Sequence, residues 1–129
     1  MKLSEYFENT LGRGVLATAD AKGIVDAAVY SRPHFVDEET AVWIMTDRLT
    51  HANLQSNPHA AYIFAEAKEN AFVGKRLYLT KIREESDPAK IEQFRWRKTY
   101  RIPEEQKGEK RFVVYFHIDR TLPLIGDKT

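Results

Sequence analysis

The sequence contains no cysteine, which excludes disulfides, zinc–thiolate sites and thiol nucleophiles together. It also lacks a long apolar run: nothing approaches the roughly 20 residues that span a bilayer. The N-terminal MKLSEYFENTL has no apolar centre of the kind a signal peptide carries, so a cytoplasmic location and no membrane partner are expected. An excess of one charge is missing too, since 20 Lys and Arg face 19 Asp and Glu for a net charge of +1. A general nucleic-acid binder carries a basic excess or stripe, so that class is disfavoured. The histidines, His34, His51, His59 and His117, show no metal-ligand spacing such as HExxH, and no metal is expected. GxSxG, P-loop and GxGxxG patterns are absent, which removes the main support for serine hydrolase, NTPase and Rossmann readings. Carboxylates cluster only in turns, such as Asp37-Glu38-Glu39 and Glu84-Glu85, so no catalytic acid or base stands out.

What is present is a core. With 43% apolar residues, 7 Phe, 6 Tyr and 2 Trp in 129 residues, the chain can fill one interior but not two, giving a single domain over 1–129. Apolar periodicity predicts a helix over 3–11, with Ser4 as its cap and Gly12 and Gly14 ending it. Strands are predicted over 15–19, 24–36, 42–45, 59–64, 72–83 and 111–119, the second interrupted by Pro33, which suggests an edge or a bulge. Gly23 supplies the positive φ of the turn after Ala19. A helix over 89–98 starts behind Asp87 as cap and Pro88 at its first position. Residues 101–110 read as an exposed loop and 122–129 as a tail. Six strands with short connections and about three short helices define a mostly β, α+β fold: a six-stranded antiparallel barrel with helices at its ends.

The stretch 41–64 organises the rest. A buried strand reaches Met45, a polar turn follows at Thr46-Asp47, then one helix, and Pro58 stops that helix before the returning strand. Asp47 is the expected N-cap, with Arg48, Thr50 and His51 in the first turn. That turn carries free N–H groups and the positive end of the helix dipole. With Thr46 and Thr50 hydroxyls, an arginine and a histidine, it forms a pocket for one phosphate. Arg32 lies on a strand joined by a tight turn to that of Trp43, so its guanidinium is expected to approach Thr46 and reinforce the pocket.

Thr46, the polar first turn, Asn53-Leu54, Asn57-Pro58 and the apolar strand that follows resemble the FMN-binding split barrels. That family includes pyridoxamine-phosphate-oxidase-like proteins and small single-domain FMN-binding proteins. Phe94-Arg95-Trp96 is similar to an aromatic helix segment of the small members, whose tryptophan lies by the flavin. The resemblance spans about 15–119. It implies a split β-barrel that binds FMN as a homodimer with flavin at the interface, and the apolar strands at Trp43 and 111–119 are expected to form part of that interface. On this reading Thr46, Arg48, Thr50 and His51 hold the phosphate with Asp47 in the same turn and Arg32 reinforcing. Tyr30 and Ser31 contact the ring, and Trp96, the residue the resemblance sets by the flavin, covers it. Any redox step on an unidentified small molecule or electron donor would be the flavin's.

Departures set limits on this. Leu49-Thr50-His51 stands where many members place a lysine, and the ending TLPLIGDKT lacks the tryptophan and arginine signature of true pyridoxamine-phosphate oxidases. Vitamin B6 oxidation is therefore not expected. Two other readings compete: a non-catalytic FMN carrier or electron-transfer module, and a nucleic-acid-binding barrel that stacks bases on Tyr30, Trp43 and Tyr62. The resemblance also leaves open haem or a deazaflavin, ligands of relatives of this fold, in place of FMN.

Overall fold

The computed structural model describes residues 2–94 and 108–127, and these form seven strands and three helices. Helix α1, Leu3–Asn9, buries Phe7 completely. Its N-cap is Lys2, without a side-chain bond, and Ser4 instead donates its hydroxyl to Glu38 Oε2 at 2.5 Å. Gly12 and Gly14 do not end the helix; they lie inside strand β1, Gly12–Ala19. A Cβ at Gly12 would fall 2.3 Å from the Ala65 carbonyl oxygen, so the close approach of two backbones demands glycine there.

The single strand expected over 24–36 is two strands, β2, Val25–Tyr30, and β3, His34–Asp37. This accounts for seven strands where the sequence suggested six. Pro33 has no N–H to give a ladder and biases Arg32 before it. Two core donors complete the break. The Tyr62 hydroxyl donates to the Tyr30 and Ser31 carbonyls at 3.2 and 2.9 Å, and Trp43 Nε1 donates to Ser31 at 2.8 Å. Those carbonyls thereby find partners inside the barrel.

The remaining elements are β4, Thr40–Thr46; α2, Leu49–Ser56; β5, His59–Glu66; β6, Gly74–Glu85; α3, Pro88–Phe94; and β7, Arg111–Pro123. Asp87 accepts from the Ala89 N–H at 3.0 Å, as expected for the start of α3; the expected continuation of this helix beyond Phe94 lies outside the described residues. The predicted tail is partly strand, because β7 runs to Pro123 and buries Leu122.

All pairings are antiparallel, in the order β2-β1-β5-β6-β7-β4-β3. β6 and β7 separate β5 from β4 in that order, yet the rings of Tyr62 on β5 and Trp43 on β4 lie 4.8 Å apart. The sheet must therefore curl on itself, and register shifts between β6 and β7 assist the bend. The architecture is a split barrel. Phe7 of α1 packs into it against Phe64, Phe35 and Tyr62. Helix α3 covers the opposite sheet face, with Ile91 and Phe94 on Val42, Val113 and Tyr115. Helix α2 is seated by Leu54 in the core and by Asn53, whose Nδ2 donates to Thr18 Oγ1 of β1 at 3.0 Å.

Candidate functional site

The start of α2 is fixed by its neighbours. Thr46 ends β4 directly opposite Arg111, the first residue of β7. The chain then turns, with the Arg48 N–H donating to the Thr46 carbonyl at 2.9 Å, and the helix begins at Leu49. The N-cap is Arg48 in extended geometry, not Asp47 as the sequence suggests, and no side chain caps the first turn. The Asp47 carboxylate instead faces His51 Nδ1 at 3.1 Å. The N–H groups of the first turn lack intrahelical acceptors, and the positive end of the dipole adds to them.

His51 is buried rather than presented. Its Nε2 lies 2.9 Å from Glu84 Oε2 on β6, Asp47 holds the other ring nitrogen, and the ring stacks on Phe112 of β7 at 3.9 Å and 11°. The imidazole thus ties α2 to two strands, and it would have to give up a carboxylate to reach a phosphate. Burial alone would raise the Glu84 carboxyl. Hydrogen bonds from Lys81, Gln55 and His51, with the charge of His51, outweigh it and hold the group down to about 2 from 4.5. A carboxyl lowered on folding stabilises the protein above its unfolded value and loses that contribution as it protonates. The acid limb of stability is therefore expected to fall between pH 4.5 and about 2. In Glu84→Gln this segment should flatten and the melting temperature at neutral pH should drop, as thermal melts across that range would show.

Arg48 is exposed, but its guanidinium is engaged side-on: Nη2 meets Glu109 Oε1 at 2.5 Å and Nε meets Oε2 at 3.1 Å. Thr50 is 5% exposed, the second residue of the helix, and Thr46 is half-buried. Thr46, Asp47, Arg48, Thr50 and His51 are thus brought together at one helix start. Arg32 serves elsewhere. Its Nη1 donates to the carbonyls of Phe7, Glu8 and Thr10 at 3.0, 3.2 and 3.1 Å, closing the C-terminal end of α1, where a cation is favoured. The expected approach of Arg32 to Thr46 is replaced by this anchor. Tyr30 is half-buried against the core and Ser31 is exposed, both at the β2–β3 break. Trp96 lies outside the described residues.

Sequence reasoning missed Arg111, which the β4–β7 register sets beside Thr46. Its signal was the basic pair Lys110-Arg111 opening the last strand. The stacking platforms fare differently: Trp43 and Tyr62 are 1% and 0% exposed, so neither can receive a base, and of the three only Tyr30 stays half-exposed. Among the described residues no cluster of His, Asp and Glu could hold a metal ion, and no helix is long and apolar enough to cross a membrane. A cavity of about 470 Å³ opens between α1, β3 and α3, lined by Glu8, His34, Phe35 and Phe94 among others, away from the α2 turn.

The fold defines the class: this is the split barrel seen in FMN-binding proteins. An FMN-binding protein from Syntrophomonas wolfei superposes with a TM-score of 0.77 at 19% identity, covering 98% of this chain and 86% of that one. Group A Streptococcus HupZ gives 0.69 at 20% identity, covering 98% and 94%. An F420 reductase gives 0.71 at 17% identity, covering 91% and 94%. No protein-family model and no curated protein matches the chain.

Proposed function

We propose that the chain is an FMN-binding flavoprotein, pyridoxamine-phosphate-oxidase-like in fold, that works as a homodimer and serves redox chemistry on a small molecule. The observation that carries this is the α2 start, where Thr46, Arg48 and Thr50 surround uncapped amides with Arg111 across the sheet. That donor set suits a phosphomonoester, and the fold is shared with an FMN-binding protein. When bound, the flavin would supply electron or hydride transfer. The chain's own task is to hold the phosphate at Thr46, Arg48 and Thr50, and to align the ring along the Tyr30–Ser31 segment. Asp47 and His51 contribute indirectly, by fixing the turn to β6 and β7.

The dimer has its own physical support. Among the described residues the helix start and this cavity lie apart, and a three-ring system needs more enclosure than an open helix start gives. The strands named from sequence as an interface are spent on the core, since Trp43, Val114 and Phe116 are buried. An outward apolar surface lies instead on β2, β1 and β5. Val29, Val15 and Ile63 form one row across these strands and Ala27, Ala17 and Ala61 the next, with Val25 and Val29 78% and 81% exposed. A second copy would cover it. Freshly purified protein should show the flavin absorption bands, release FMN on denaturation, and scatter light as a particle of twice the 15.0 kDa chain mass. Colourless protein that gains no flavin signal on titration with FMN would defeat the reading.

A further inference from the structure

Building on the phosphate site proposed above, we infer that Glu109 is an internal stand-in for the ligand's phosphate, a carboxylate that occupies Arg48 until a phosphomonoester displaces it. The geometry is that of anion recognition. Two nitrogens of one guanidinium edge, Nε and Nη2, meet the two oxygens of one carboxylate at 3.1 and 2.5 Å, the fork an arginine offers equally to phosphate. The position is right as well. Glu109 lies two residues before Arg111, which pairs with Thr46, so the carboxylate is held at the turn where α2 begins. The group is an anion: hydrogen bonds from Arg48 hold its carboxyl below the usual range, helped by the charges of Arg48 and Arg111 and opposed by that of Asp47.

Both partners remain open to solvent, with side chains 50% and 31% exposed, so the pair can exchange for another anion without unfolding. Two consequences follow. The positive helix start is neutralised when no ligand is bound. Inorganic phosphate, which has no ring to add contacts, must compete with a tethered carboxylate, whereas FMN brings the ring as well. Glu109 thereby weakens every phosphate alike, so only a ligand with contacts beyond its phosphate fills the site at low concentration.

Exposed ion pairs are weak, so the effect to look for is about two- to fivefold. Glu109→Gln should lower the FMN dissociation constant by that factor, leave riboflavin binding unchanged, and lower the dissociation constant of inorganic phosphate, titrated alone, by the same factor. In an Arg48→Gln background the same substitution should do nothing, because the group it competes for is gone. If the parent prefers FMN over riboflavin and Glu109→Gln binds FMN no tighter, the inference is overturned while the phosphate site stands. A gain that persists without Arg48 would overturn it too. Equal affinities of the parent for FMN and riboflavin would remove the phosphate site, and this inference with it.

Discussion

Gly14→Ala is expected to cost about 3 kcal/mol of stability, lowering the melting temperature by roughly 10 °C or more. A Cβ at Gly14 would fall 1.8 Å from the Tyr62 hydroxyl, 2.3 Å from Cζ and 2.6 Å from Cε1. Most side-chain ends this close would swing aside, but Tyr62 cannot. It is fully buried, its ring abuts Trp43 and Phe7, and its hydroxyl is bonded to the Tyr30 and Ser31 carbonyls. Making room means overpacking the core or losing those bonds, and the second would also loosen the β2–β3 break. Tyr62→Phe removes the nearest atom but leaves the ring carbons in the way, so it should rescue Gly14→Ala only in part. Melting of Gly14→Ala within about two degrees of the parent would mean that Tyr62 does not lie against β1.

The second large effect concerns binding. If the Thr50 hydroxyl donates to the ligand phosphate, Thr50→Val removes a charge-assisted hydrogen bond contributing roughly 1.5–3 kcal/mol. The FMN dissociation constant should then rise about 10- to 100-fold. Arg48→Gln should also weaken FMN, by less, and its effect should shrink with added salt because the charge is exposed and screened. Neither change should alter riboflavin affinity, since neither residue meets the ring. Thr50 is buried against its own chain, so a thermal melt must accompany the titration. A folded Thr50→Val that binds FMN like the parent would move the phosphate away from this turn.

What could be read from the sequence was what is local. The strand–turn–helix–strand order of 41–64 follows from apolar runs, a polar turn and Pro58, and it matches β4, α2 and β5. Asp87 at the start of α3 and Gly23 in its turn with φ +82° are equally local. What escaped depends on partners far along the chain. His51 looks like an exposed first-turn residue until Glu84, 33 positions later, and Phe112 close over it. Arg32 looks like a strand arginine until α1 ends beside it. The break at Ser31 needs donors from Trp43 and Tyr62, and the same two aromatics pass for stacking surfaces when only their alternation is known. Arg111 joins the α2 start through the β4–β7 register, which no pattern within one strand specifies.

The central claim is that this barrel holds a flavin by its phosphate at the start of α2. Parallel titrations of the ligand-free protein with FMN and with riboflavin test it most directly, because the two differ by that group alone. An anion site with hydroxyl and arginine donors should contribute roughly 3 kcal/mol or more, so FMN should bind at least about 100-fold more tightly. Equal dissociation constants for the two flavins would contradict the account.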